Sequence, residues 1–107
     1  MRHFFNMLQV TVLPDGEVLL AVRVSDTKVD QYRFSVEVFR EMVAAYHRNL
    51  SVWSGPDGLL VKVDTRGGLA SIAVPQGENK REIHRIGLSQ FEAMAAQFRA
   101  QDRELRG

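Results

Sequence analysis

The sequence predicts an α+β fold, two βββ(β)α repeats that form antiparallel sheet with two helices packed on one face. Three observations carry this. The chain repeats itself at an offset of 52 positions. Apolar residues alternate with period two in some runs and recur at helical spacing in others. Turn signals rich in Gly, Pro and Asp separate those runs. A chain of 107 residues has room for one ordinary core, so a single domain, 1–107, of two units at about 1–50 and 51–107 is expected.

Within residues 16 to 46 and their partners, eight pairs are identical at this offset: Gly16/Gly68, Ala21/Ala73, Val22/Val74, Lys28/Lys80, Arg33/Arg85, Phe39/Phe91, Met42/Met94 and Ala44/Ala96. Conservative pairs such as Leu20/Ile72, Asp30/Glu82 and Tyr46/Phe98 join them. Each unit is too small to cover its own apolar face and is expected to pack on the other.

The strands follow from parity. Val18, Leu20, Val22 and Val24 alternate with Leu19, Ala21, Arg23 and Ser25, as a half-buried strand requires. Ala70, Ile72 and Val74 do the same in the second unit. β-rich runs at 3 to 13 and 59 to 65 precede them, joined through Pro14-Asp15-Gly16 and Arg66-Gly67-Gly68, both hairpin turns. Leu8, Val10 and Val12 do not align with Val61 and Val63 at the common offset, so the first strands slip by about one residue. Third strands are expected near 29 to 36 and 81 to 88, and Ser51-Val52-Trp53 reads as an additional short one.

Each third strand runs into an amphipathic helix. Phe39, Met42, Val43, Tyr46 and Leu50 mark the first, and Phe91, Met94, Ala95, Phe98 and Leu105 the second. Ser89 with Glu92 reads as a capping box that starts the second helix.

Composition removes several functions. With no cysteine, there is no disulfide framework, thiolate metal site or cysteine nucleophile. Fourteen Lys and Arg against thirteen Asp and Glu give a net charge of +1, so electrostatic function must come from local distribution. No run approaches the roughly 18 apolar residues of a membrane span, and the start of the chain becomes polar too early for a signal peptide, so a cytoplasmic protein with no membrane partner is expected. No phosphate-binding, dinucleotide, nucleophile-elbow or zinc-protease motif occurs. His3, His47 and His84 are far apart in sequence, and Asp15 and Asp57 sit in Pro-Asp-Gly turns that account for them. The reading is not an enzyme, with no cofactor and no metal.

The sheet face opposite the helices is the more informative surface. Parity points Arg23, Arg33, Lys62, Arg66 and Arg85 outward, with Asp64 as the acidic member of the set. Such a face tracks phosphates while guanidinium planes stack on bases; an ordinary solvated sheet face is the alternative. Lys80 and Arg81 extend the set at a turn, where solubility alone is the alternative. Phe5 and Trp53 are the candidate stacking residues, with core or edge packing as the other reading.

The two segments Tyr32-Arg33-Phe34-Ser35-Val36-Glu37-Val38-Phe39 and His84-Arg85-Ile86-Gly87-Leu88-Ser89-Gln90-Phe91, each a final strand entering a helix with an early aromatic, follow glycine-terminated hairpins. In this the chain resembles the Pur-alpha and Whirly type of single-stranded nucleic-acid-binding proteins. The resemblance implies curved sheets that hold single strands by basic and aromatic side chains, and assembly into homo-oligomers. The expected function is sequence-independent binding of single-stranded nucleic acid, DNA before RNA. The alternative is a protein-interaction module or inhibitor of phage or plasmid type, for which outward Leu19, Leu60 and Leu69 and helix-surface Arg40, Arg48, Arg99 and Arg103 are suited.

Overall fold

The structure is a computed structural model that describes residues 8–76 and 79–106. Strands β1 (Leu8–Val12), β2 (Glu17–Arg23) and β3 (Val29–Ser35) form a three-stranded antiparallel sheet, followed by helix α1 (Val36–His47). Strands β4 (Val52–Ser54), β5 (Leu60–Asp64), β6 (Leu69–Pro75) and β7 (Arg81–Gly87) form a four-stranded antiparallel sheet, followed by helix α2 (Leu88–Arg106). The class is α+β as expected, its antiparallel strands divided into one sheet per unit. The sheets meet through side chains, the Tyr32 hydroxyl of β3 lying 2.6 Å from His84 Nε2 of β7. Rings between two backbones hold them too far apart for the roughly 4.8 Å spacing of a ladder.

The hairpins set the registers. At β1–β2, Gly16 takes the positive φ of 88° and Leu13 N–H donates to the Glu17 carbonyl. At β5–β6, Gly68 takes a φ of 67° and Gly67 N–H donates to Asp64 Oδ1 at 3.0 Å. A side chain with a Cβ is strained in that conformation, which is why both turns end on glycine. The same two glycines serve the helices: the Gly16 carbonyl accepts from Val36 N–H and the Gly68 carbonyl from Leu88 N–H. Leu20 faces Tyr32 across β2–β3 and Ile72 faces His84 across β6–β7, the same register in both units. Val10 faces Leu20 whereas Val61 faces Ile72, so the first strands are displaced by one residue, which keeps a valine at the same inward position.

α1 starts on Ser35, whose Oγ accepts from Val38 N–H at 3.2 Å. Its end is closed by Arg48 N–H on the Ala44 and Ala45 carbonyls, with Asn49 at a φ of 63°. Leu50 therefore falls beyond the helix and is exposed, not part of its apolar stripe. α2 begins one residue before the expected box: Ser89 lies within its first turn, and Glu92 acts on the Tyr46 hydroxyl, which burial first and this carboxylate second push up to about 12.

The core lies between the inner sheet faces and the helices. Phe39, Phe91, Phe98, Met42 and Met94 fill it with Leu20, Ile72 and Ile86. Phe39 packs on Phe98 and Tyr46 on Phe91, with centroids 5.3 and 5.1 Å apart, so each helix contributes one early and one late ring. α2 also covers the β1 edge. Gln101 Oε1 accepts from Val12 N–H at 2.7 Å and its Nε2 donates to the Val10 carbonyl at 2.9 Å, satisfying an edge that would otherwise recruit another strand. No helix among the described residues is long and apolar enough to cross a membrane.

Candidate nucleic-acid interface

Residues opposite one another in an antiparallel ladder share a face, so the registers assign the outward side chains. On the first sheet the outward rows are Thr11, Leu19 and Arg33, then Gln9, Ala21 and Gln31, with Arg23 opposite Val29 at the end. On the second sheet Val52, Lys62, Ser71 and Arg85 form one row, and Ser54, Leu60, Ala73 and Ile83 the next. Arg33 and Arg85 therefore occupy equivalent positions on the outer faces of the two sheets.

Arg23, Arg33, Lys62 and Arg85 are all exposed. Arg33 Nη1 lies 3.4 Å from Glu17 Oε1, an exposed pair of the kind that adds little to stability. Arg23 Nη1 donates to the Asp26 carbonyl at 3.2 Å, which turns it back along its own hairpin. Asp64 shares the outward face of Leu69 and is tied to the turn by its bond from Gly67 N–H. Arg81 opens β7 opposite Pro75, and Lys80 stands just before it, both exposed.

Two of the candidate residues stand off the outward rows. Arg66 lies in the β5–β6 turn, outside either strand, so the turn and not the pleat sets its direction. Trp53 faces Val61 on the inner side, packs against the core and lies over Gly55, where an added Cβ would overlap its ring. Its half-buried indole packs on the core from the edge strand, on the face opposite the cations. Phe5 lies outside the described residues. Among the described residues, the outward rows contain no aromatic side chain.

Apolar side chains share the second face with the cations. Ile83 is 62% exposed, Val52 53% and Leu69 43%. Ile83 was legible in sequence, since it stands two residues from outward Arg85 on one strand, the spacing that keeps two side chains on one face.

The ionisable groups of the interior are separate from this surface. His84 is buried, with Asp30 Oδ2 4.0 Å from its Nε2. Burial pushes the imidazole below its usual range against the opposing pull of Asp30 and Glu82, so it is neutral at pH 7. Burial, with Asp30 and Glu82 adding to it, pushes the Tyr32 hydroxyl up to about 12. The protonated phenol donates to Nε2 when the imidazole proton sits on Nδ1. No group of three His, Asp or Glu side chains suited to a metal gathers among the described residues.

Comparison with protein-family models, curated proteins and solved structures finds no match to the chain.

Proposed function

We propose that the chain is a non-enzymatic, cytoplasmic protein that binds single-stranded nucleic acid, DNA before RNA, along the outer faces of its two sheets. The observation that carries this is the equivalence of Arg33 and Arg85. One cation recurs at the same outward register position on both sheets, and Lys62 joins Arg85 across Ser71. The Pur-alpha and Whirly resemblance, with its strands-then-helix units, supports the same reading. With no aromatic on the described outward rows, the contacts are to phosphates and not to stacked bases, so binding does not discriminate sequence. The test is a titration of labelled single-stranded and duplex oligonucleotides at low and high salt. Saturable single-strand binding that weakens steeply with salt supports the proposal, and no saturable binding at low salt removes it.

Exposed Ile83, Val52 and Leu69, beside half-buried Leu60, favour a second reading, contact with protein through the four-stranded sheet, either a second copy in a homo-oligomer or a different partner. Ile83→Glu separates the two. It abolishes assembly under the protein reading and leaves oligonucleotide affinity within a fewfold under the nucleic-acid reading.

A further inference from the structure

The two helices border an open groove away from the sheet faces, about 590 Å³ in volume, within the range of small-molecule sites. Four guanidiniums line it, those of Arg40, Arg99, Arg103 and Arg106, and Asp102 is the one carboxylate among the described lining residues. Asp102 is buried and already engaged. Its oxygens accept from Arg40 at 2.8 to 3.2 Å and from Arg106 at 3.2 Å. Arg99 Nη1 lies 3.2 Å from His47 Nε2, and Arg103 makes no ion pair among the described residues. Val43 and Ala44 supply an apolar wall.

The repeat provides an internal control. A second hollow of about 620 Å³ lies at the equivalent place, lined in part by Tyr46, His47, Leu50, Ser51 and Glu92. At the 52-residue offset, Glu92 stands for Arg40, His47 for Arg99, Leu50 for Asp102 and Ser51 for Arg103. The second hollow also takes Val63, Thr65 and Leu88 into its lining, and at the positions it shares with the first it carries no arginine. Balancing of the helix dipole suits Arg103 and Arg106, which stand in the last turn of α2, but not Arg40 and Arg99, which each lie seven residues before the end of their helix, beyond the reach of that effect.

We propose that the arginine-lined hollow is a binding site for a small ligand carrying a chain of phosphates. Arg99, Arg103 and Arg106 recur along one side of α2 over about 10 Å, a length suited to an elongated polyanion rather than a single ion. Guanidinium forks pair with phosphate oxygens two at a time. Asp102 holds Arg40 in place, leaving Arg99 and Arg103 to meet the ligand. The chemistry is shared by free polyphosphate and by a nucleoside polyphosphate whose base rests on Val43 and Ala44.

The test is calorimetric titration of the full chain with sodium tripolyphosphate, ATP and a polyglutamate peptide at low ionic strength. Saturable one-to-one binding of tripolyphosphate, weakened about tenfold or more by Arg99→Ala with Arg103→Ala, is expected. Arg103→Glu alone, at an exposed position, provides a second variant that keeps the fold. Arg33→Ala with Arg85→Ala should leave this binding unchanged, which separates the site from the sheet-face reading. ATP binding more tightly than tripolyphosphate assigns the nucleoside polyphosphate, and equal affinity assigns the phosphate chain alone. The proposal is overturned if tripolyphosphate does not saturate, if the α2 variants bind it as wild type does, if the sheet variant weakens it equally, or if polyglutamate binds as tightly.

Discussion

Tyr32 and His84 stand 52 positions apart and touch, hydroxyl to Nε2, at 2.6 Å. A residue that contacts its own repeat equivalent lies on the relation between the copies. Arg99 and His47 are a second such pair, at 3.2 Å and the same separation. Phe39 with Phe98 and Phe91 with Tyr46 are the exchanged pairs that a two-fold arrangement produces, one ring from each helix crossing to the other. The two units are joined at these contacts.

The Tyr32–His84 junction makes stability depend on pH. The folded imidazole is depressed below its ordinary value of 6.5 by burial, facing Asp30, Glu82 and Lys28, so the unfolded chain binds the proton more readily. Stability from this group is complete above about pH 6.5 and falls as pH drops toward the folded value, by at most about 1.4 kcal/mol per pH unit. Denaturant unfolding at pH 7.5 and 5.5 should show this loss, and His84→Gln, which keeps an acceptor for Tyr32 without titrating, should reduce it. An unchanged pH dependence in that variant would place the titration elsewhere.

Phe91 is fully buried between the units. Phe91→Ala should cost about 3–5 kcal/mol, a large share of the roughly 5–15 kcal/mol that holds a domain folded. Unfolding followed by circular dichroism reports it, and a loss below about 1 kcal/mol would mean the helices do not share one core.

Asp102 is buried against Arg40, while the equivalent positions in the other half are Leu50 and Glu92. Asp102→Leu alone should lower the melting temperature, because it strips Arg40 of its partner. Arg40→Met added to it should restore much of the loss, since an apolar pair often replaces an ion pair at no cost. A double variant less stable than the single one contradicts this.

Gln101 satisfies the β1 edge through Val12 N–H and the Val10 carbonyl. Gln101→Ala should speed hydrogen exchange at the Val12 amide by about fivefold or more, the equivalent of roughly 1 kcal/mol of hydrogen bond. Exchange as slow as in wild type would mean another group protects that edge.

The offset of 52 was readable because the paired residues are the ones whose roles are fixed by packing or turn geometry: Gly16 and Gly68 at positive φ, Phe39 and Phe91 in the core. Parity likewise placed Arg33, Lys62 and Arg85 outward, since alternation is a local property of a strand. Parity failed at Arg66, which lies in a turn, and gave no direction for Trp53, whose three-residue strand is too short to show a period and left stacking and core packing both open. The separation into two sheets was not legible, because it depends on Tyr32 and His84 meeting across the molecule. The capping of α2 was misread for a related reason: the partner of Leu88 N–H is the carbonyl of Gly68, a backbone atom twenty residues away that no short motif announces.

The outward cations are tested most directly by the salt dependence of single-strand affinity. If Arg33, Lys62 and Arg85 each displace a counterion, the slope of log K against log salt contributed by them is about −2. Arg33→Ala with Arg85→Ala should make the measured slope shallower by about 1.4 and weaken binding without changing the circular dichroism spectrum. A folded double variant that binds with wild-type affinity and slope would contradict the assignment of nucleic acid to this face.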